Sequence, residues 1–432
     1  MVEDYLAKNL AAVEQKWPER AREITLAPEL PDSILDATTP EPTLIIDSLH
    51  LASGYDQQAE AVVQAGQIRK NADYAWVYGL GAGRLPELLL QRSRLKQLTV
   101  VLFNPSVARA IFHSFDLTPW LADARLELRS AAQENAVFFP FAAVPPCLLL
   151  ADDASARLRD LVLLEISTPY IHRKHGEKKQ LLRQRIRENL PLIREDGDVA
   201  SLYGTLAGKT VVVTGAGPSL ADHYDWLRCN NKEIKIVATD ASLIPLLEAG
   251  VEVDYVVCID SHETRILPFF ETERLAACAR ANLIYFPVVH PDVLKLWPGK
   301  RFTAYSRDQL YDEIRWELPR GNLFSSGSVI HPAVDFAVKA GADNIIFAGA
   351  DFGFPGGRSH VAGSRAMALS TGKKHHWLLD GNGNRIRTAP SLRGFLRDLE
   401  SYIALHPNVR FYNAGRRGAA IQGTDLIHQD MP

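Results

Sequence analysis

A glycine-rich turn at residues 215–220 follows directly on residues 209–214, an apolar β-branched run typical of a buried parallel strand. The glycines permit close backbone approach, the proline fixes the turn, and the serine can cap the following helix while N–H groups bind a phosphate. It is not a Walker loop, because the Gly-Lys-Ser/Thr ending is missing. A strand-to-helix turn without a ligand is the alternative. We assign nucleotide binding to Gly215, Gly217, Pro218 and Ser219.

The other predicted strands of this part of the chain also end in polar residues. Four apolar runs alternate with helical segments, an order typical of a doubly wound, mainly parallel sheet; they are residues 234–239, 255–259, 283–286 and 344–347. Ligands of such sheets bind at the carboxyl ends of the strands. The candidate site therefore includes the polar residues that follow the strands, namely Asp240, Asp260, Ser261 and Asp351.

A second glycine-containing helix start precedes the helix predicted over residues 330–340. Ser325, Ser326 and Gly327 offer hydroxyls and free N–H groups to a phosphate or a carboxylate. Simple N-capping explains the same pattern. We include all three in the candidate site because they would act together with the first turn.

The catalytic candidates are Asp260, Asp351 and His360. The two carboxylates could bind a divalent metal, bind ribose hydroxyls or serve in acid–base chemistry, and an acidic pair from adjacent strand ends could hold Mg²⁺ on a diphosphate. No tight Asp-x-Asp follows the strands of the candidate site, so the metal stays open. His360 lies in a glycine-rich loop, a suitable place for a general base, because the ordinary pKa of histidine lies near neutrality. The other candidates for the base are His262, His290 and His331.

The N-terminal part has a glycine-rich turn of its own. Leu6, Leu10, Val13 and Trp17 predict one amphipathic helix from residue 5 to about residue 22, followed by a short strand at residues 43–46. Further on, residues 79–83 join strands at 75–78 and 98–103 in a βαβ unit that could hold a dinucleotide or S-adenosylmethionine. A tight structural turn is favoured, because Asn104 follows the second strand where a ribose site would have Asp or Glu.

Composition and segment boundaries limit the function classes. A net charge of −3 disfavours nucleic acid as a partner, and four distant cysteines disfavour a zinc site or a disulfide framework. No signal core or long apolar run is present, so we expect no membrane insertion and a cytoplasmic location.

We expect a multidomain α/β protein with a main boundary near residues 195–205. Its parts are an N-terminal helix and β appendage (1–60), a Rossmann-like domain (61–195), a doubly wound core (196–370) and a smaller hairpin, helix and glycine-rich tail (371–432).

Over nearly its whole length the chain resembles the motility accessory factor (Maf) family of flagellin glycosyltransferases. The resemblance rests on the order of parts, on the core motifs and on the tail. The core motifs are residues 211–220, Asp260-Ser261, Ser326-Gly327-Ser328-Val329 and residues 347–360, and the tail motifs are Arg387-Thr388, Asn413-Ala414-Gly415, Gly418-Ala419 and Ile421-Gln422-Gly423. The core also looks like the MptE-like diphosphokinase domain and the bacterial sialyltransferase fold.

The Maf resemblance implies transfer of a nonulosonic acid, such as pseudaminic or legionaminic acid, from its CMP-activated form to Ser or Thr of flagellin. No cofactor is then obligatory, the CMP-sugar is the donor substrate, and Mg²⁺ is an open possibility. Residue by residue, the resemblance implies nucleotide contacts from Gly215, Gly217, Pro218, Ser219, Asp240, Ser326 and Gly327, and a base at His360. Position 240 departs from the asparagine expected in the sialyltransferases.

Two other functions remain open. An ATP- and Mg²⁺-dependent 6-hydroxymethyl-7,8-dihydropterin diphosphokinase shares the Gly-Pro-Ser-Leu and Gly-x-Asp pattern, although its family members look much shorter. A flagellin-binding assembly factor with a vestigial site is the non-enzymatic alternative.

Overall fold

The computed structural model describes residues 5–177, 179–365 and 376–427. The chain divides into two compact units, Met1–Ser167 and Thr168–Pro432. This division lies upstream of the boundary expected near residues 195–205.

Unit 1 is an α/β unit with two sheets. Its helices are α1 (Tyr5–Glu14), α2 (Pro18–Leu26), α3 (Gln57–Ala65), α4 (Arg84–Leu90), α5 (Pro105–Ser114), α6 (Thr118–Leu121) and α7 (Pro145–Leu149), and α8 (Ala156–Glu177) runs across the unit boundary. Strands β1 (Ile34–Asp36), β2 (Thr43–Ile46) and β3 (Leu49–His50) form an antiparallel sheet. Strands β4 (Tyr74–Tyr78), β5 (Gln97–Leu102), β6 (Leu126–Ser130) and β7 (Phe141–Ala143) form a parallel sheet of order β6-β5-β4-β7. The predicted βαβ unit is confirmed as β4–α4–β5.

The predicted single N-terminal helix is wrong. The chain forms α1 and α2 instead, because Pro18 lacks the N–H that a helix interior needs and occupies the first turn of α2.

The glycine-rich turn of unit 1 is filled by the protein's own side chains. A Cβ on Gly79 would lie 2.6 Å from the Cβ of Cys147, and one on Gly83 would lie 2.6 Å from a methyl carbon of Leu117. Both glycines have positive φ, 103° and 86°. Asn104 caps α5, with its Oδ1 accepting from the Ser106 N–H at 2.9 Å. These contacts support the structural interpretation of this turn.

Unit 2 contains a nine-stranded parallel sheet of order β18-β17-β14-β9-β10-β11-β12-β13-β8. Its strands are β8 (Gly197–Asp198), β9 (Thr210–Thr214), β10 (Ile234–Thr239), β11 (Tyr255–Cys258), β12 (Asn282–Tyr285), β13 (Lys300–Thr303), β14 (Asn344–Ala348), β17 (Arg410–Asn413) and β18 (Asp425–Leu426). A separate hairpin pairs β15 (Trp377–Leu379) with β16 (Arg385–Arg387). The helices are α9 (Lys179–Glu195), α10 (Tyr224–Cys229), α11 (Asp240–Glu248), α12 (Glu263–Ile266), α13 (Pro291–Leu296), α14 (Asp312–Glu317), α15 (Ile330–Lys339) and α16 (Pro390–Ala404).

The strand order reverses beside β9. From β9 the chain adds β10 to β13 on one side, whereas β14, β17 and β18 lie on the other. Val211, Val212 and Val213 of β9 are fully buried between these halves, as expected for an apolar central strand of a parallel sheet. The predicted α/β fold with a parallel sheet is confirmed, and ligands of such folds bind where the order reverses.

Two segments that the sequence set apart belong to the body of unit 2. Helix α9 buries Ile186 and Ile193, and Asn189 donates to the carbonyls of Pro287 and Val289 at 2.8 and 2.7 Å. Strands β17 and β18 extend the main sheet beyond β14. The C-terminal residues therefore complete the sheet that carries the candidate site.

Candidate functional site at the carboxyl edge of the unit 2 sheet

The loops after β9 and β14 are in direct contact where the strand order reverses. Gly215 N–H donates to the Ala348 carbonyl at 2.9 Å, and Gly217 N–H donates to the Gly349 carbonyl at 2.8 Å. A Cβ on Gly215 would lie 2.5 Å from the Gly349 oxygen, and one on Gly217 would lie 2.6 Å from the carboxyl carbon of Asp351. Both glycines are thus required by the approach of the two loops. Their contacts with a nucleotide stay a prediction.

Ser219 and Asp351 form a buried pair at the same place. The Ser219 N–H donates to Asp351 Oδ2 at 2.8 Å, and its hydroxyl donates to Oδ1. Ser219 is fully buried and Asp351 is 3% exposed. Burial raises the pKa of Asp351, and the two Ser219 hydrogen bonds oppose that rise. Since each oxygen of Asp351 already accepts a hydrogen bond, its direct role in this structure is to hold the turn.

Asp240 has a different environment, at the first position of α11. It is 4% exposed, and its Oδ1 accepts from the Ala241 N–H at 2.7 Å. Its Oδ2 is buried and has no hydrogen-bond partner among the described residues. Burial, and then the negative charge of Asp260, raise the pKa of Asp240 to about 7. The nearby Cys258 thiol lowers the pKa of Asp240 to a smaller extent. A thiol is a weak donor, and Cys258 does not reach hydrogen-bond geometry with Asp240 Oδ2.

Asp260 lies one strand away from Asp240, in the turn that follows β11. Its Oδ1 accepts from the His262 N–H at 2.9 Å, and both Asp260 and Ser261 are partly buried. Strands β10 and β11 pair in parallel up to Thr239 and Val257. Extending that register by one residue brings the start of α11 level with the end of β11. Asp240 and Asp260 are therefore an acidic pair that follows neighbouring strands, and the charge of Asp260 acts on Asp240.

The interpretation of Asp260 and Asp351 as an acidic pair does not fit the sheet. Strands β9 and β10 lie between β14 and β11, and three strand spacings amount to about 14 Å. The sequence places both residues after strands but does not say which strands are neighbours.

His360 is held beside the glycine turn by its own loop. The N–H of the next residue, Val361, donates to the Ala216 carbonyl at 2.8 Å, and the Ser364 hydroxyl donates to the Ala241 carbonyl at 3.3 Å. The loop therefore bridges the turn after β9 and the start of α11. His360 Nδ1 lies 3.0 Å from the Ser359 hydroxyl, and the ring is partly buried.

Two of the competing histidines have structural roles. His290 Nδ1 accepts from the Asp292 N–H at 3.3 Å and caps α13. His331 is fully buried, its Nε2 lies 3.0 Å from the Phe395 carbonyl oxygen, and burial lowers its pKa to about 4. His360 and His262 remain as candidates for the base.

The serine-rich helix start is tied to α16. The Ser326 hydroxyl donates to Asp398 Oδ2 at 2.6 Å, and a Cβ on Gly327 would lie 2.7 Å from the Phe395 ring. Ser325 is partly buried in the same loop. Because α15 leads into β14 of a parallel sheet, its N-terminus lies at the carboxyl edge. Asp398, whose pKa is raised by burial, was missed from the sequence because a mid-helix aspartate has no distinguishing spacing.

A metal would have few protein ligands at this edge. Across residues 5–177, 179–365 and 376–427 no group of three or more His, Cys, Asp or Glu side chains is arranged to hold a metal ion. The pair of Asp240 and Asp260 fits a hard cation that takes one or two carboxylates and completes its shell with water and phosphate oxygens.

The fold and the site define an α/β protein with a parallel sheet and a polar carboxyl edge. Residues 184–357 match the family described as 6-hydroxymethylpterin diphosphokinase MptE-like. The matched residues begin within α9 and end three residues before His360.

Other comparisons are more distant. None of the curated proteins compared with the sequence matches it. Among solved structures, the chain is similar to the MAf glycosyltransferase from Magnetospirillum magneticum AMB-1, with 15% identity and a TM-score of 0.42 over 98% of this chain and 74% of that chain. In the described part of the chain, every helix is too short or too polar to cross a membrane.

Proposed function

We propose that this chain is a cytoplasmic glycosyltransferase that transfers a nonulosonic acid of the pseudaminic or legionaminic type from its CMP-activated donor to Ser or Thr of flagellin. The observation that carries the proposal is the hydrogen bond between the Val361 N–H and the Ala216 carbonyl. It holds the loop of His360, the base candidate, next to the turn expected to bind the nucleotide.

The chemistry needs a base and a site for developing negative charge. CMP is a good leaving group, so His360 has only to accept the proton of the acceptor hydroxyl as the glycosidic bond forms. Helices α11 and α15 begin at the carboxyl edge, where their N-terminal N–H groups favour the charge left on the phosphate.

The tail supports the same assignment, because the motif residues in the tail pack against the turn. A Cβ on Gly415 would lie 2.7 Å from the Ser219 hydroxyl oxygen, and one on Gly418 would lie 2.3 Å from Asp351 Oδ1. Gly415 and Gly418, which contributed to the Maf resemblance, therefore cannot carry a side chain without displacing the buried Ser219–Asp351 pair. This packing connects the tail to the core.

A reconstituted transfer assay tests the proposal. Purified protein is incubated with flagellin and CMP-pseudaminic or CMP-legionaminic acid, and flagellin is followed by intact-mass spectrometry. We expect the mass of one nonulosonic acid per modified site. The variant His360→Ala should reduce the rate by about 10²–10⁴-fold, as is usual for loss of a general base.

Two further variants make the assay specific. His113→Ala removes an exposed histidine of unit 1 and should leave the rate unchanged. If His262→Ala abolishes transfer while His360→Ala retains it, the base is His262. No transfer from either donor by wild-type protein that binds CMP would count against the sugar or the acceptor.

The second candidate function is ATP- and Mg²⁺-dependent diphosphate transfer to a hydroxymethylpterin, and the MptE-like match over residues 184–357 favours it. The test is diphosphate transfer to 6-hydroxymethyl-7,8-dihydropterin in the presence of ATP. Product formation that a chelator abolishes, without any transfer to flagellin, would replace the glycosyltransferase. Tight flagellin binding without nucleotide binding would instead favour an assembly factor.

A further inference from the structure

The carboxylate of Asp240 is incompletely satisfied. Its side chain is 4% exposed, the Ala241 N–H engages Oδ1, and Oδ2 is buried without a hydrogen-bond partner among the described residues. Leaving an ionised oxygen in this state is costly, so buried charges are normally paired or bound to metals. This oxygen is therefore suited to a positively charged ligand.

Asp260 brings a second carboxylate to the same place. It follows β11, the strand paired with the one that leads into Asp240, and its negative charge acts on Asp240. Its Oδ1 accepts from the His262 N–H, which orients the side chain. Two carboxylates on neighbouring strand ends repel each other unless a cation or a proton lies between them.

The chemistry of this pair points to a divalent cation. Mg²⁺ prefers oxygen ligands and is commonly bound by one or two carboxylates, with water and substrate phosphate oxygens completing its shell. No third acidic, histidine or cysteine ligand joins the pair in the described segments, so the protein supplies only part of the shell. A phosphate at the carboxyl edge would supply the rest.

We propose that Asp240 and Asp260 hold a divalent cation, Mg²⁺ or Mn²⁺, that also binds a phosphate oxygen of the nucleotide. The nucleotide part of this inference rests on the proposed function. Because each ligand then increases the affinity of the other, the cation and CMP should bind with positive coupling.

The coupling is measured with the full chain by thermal-shift titration of CMP, once with 5 mM EDTA and once with Mg²⁺ in excess. We expect Mg²⁺ to lower the CMP concentration at half-saturation by at least about fivefold, the lower end of usual coupling between two ligands. Direct Mn²⁺ binding is followed by the loss of the free-ion EPR signal, with and without CMP. Bound Mn²⁺ should increase when CMP is added.

Two variants and one control assign the effect to the pair. Asp240→Asn and Asp260→Asn should each remove the difference between Mg²⁺ and EDTA. Each should also weaken Mn²⁺ binding at least about tenfold, because even the loss of an outer-shell partner usually weakens metal binding about 10–100-fold. Asp225→Asn, an aspartate with an 88% exposed side chain, should retain both effects. An unchanged CMP titration in wild type with and without Mg²⁺, or coupling that persists in both variants, would overturn the cation site.

The two measurements separate the inference from the function on which it rests. CMP binding in EDTA that Mg²⁺ does not change supports a nucleotide site and overturns the cation site. If Asp240→Asn abolishes Mn²⁺ binding but the wild-type protein never binds CMP, the two aspartates stand as metal ligands and the nucleotide part of the inference is wrong. Absence of both kinds of binding overturns the inference and the proposed function together.

Discussion

Replacement of Asp240 by asparagine should stabilise the metal-free protein, and increasingly so as the pH rises. A pKa of about 7 in the folded state, against 3.8 for an ordinary aspartate, corresponds to a destabilisation on the order of 4 kcal/mol when the group is ionised, at roughly 1.4 kcal/mol per pH unit. Because the folded-state pKa is raised, wild-type stability is highest below the unfolded-state pKa and falls as the pH approaches 7. Asparagine has no charge to bury and should lack this dependence.

The assay is urea-induced unfolding followed by circular dichroism between pH 5 and pH 8, in EDTA and at constant ionic strength. The stability difference between Asp240→Asn and wild type should grow by about 2–3 kcal/mol across this range. Asp225→Asn, with an exposed side chain, should differ from wild type by an amount that does not change with pH. A constant difference for Asp240→Asn would show that Asp240 does not have the raised pKa that its burial implies.

Three further substitutions and one control, Gly250→Ala, test the structural roles of the turns by urea unfolding. Ser219→Ala removes the hydroxyl from buried Asp351 and should cost about 1–3 kcal/mol; a neutral effect would mean that the pair is open to water. Gly217→Ala places a methyl group 2.6 Å from the Asp351 carboxyl carbon and should cost more than about 3 kcal/mol. Gly250→Ala, at a positive-φ glycine with nothing within 4 Å, should cost only about 1 kcal/mol, and equal costs would contradict the close packing of the turn. Asn104→Ala should cost about 1 kcal/mol through loss of the α5 cap, and no loss would reopen a ligand-binding role for Asn104.

The local elements of unit 2 could be predicted because their signals are local. The β-branched run before Gly215 predicts β9, the periodic apolar residues predict α15, and the Gly381–Asn384 turn predicts the hairpin of β15 and β16. Strands β8 and β18 were missed because two residues carry no period. Strand β13 was missed because its four residues, Lys300–Thr303, are mostly polar.

The sequence by itself determined which residues follow strands, and hence that Gly215, Asp240, Asp260 and Asp351 all lie at one edge of a parallel sheet. Only the tertiary structure decided which of them meet. Strand β14 pairs with β9 on the side away from β10 and β11, so Asp351 is buried against Ser219, whereas Asp240 and Asp260 follow neighbouring strands. Strand order depends on how helices and loops pack between distant segments, and this packing has no signature in the spacing of residues along the chain.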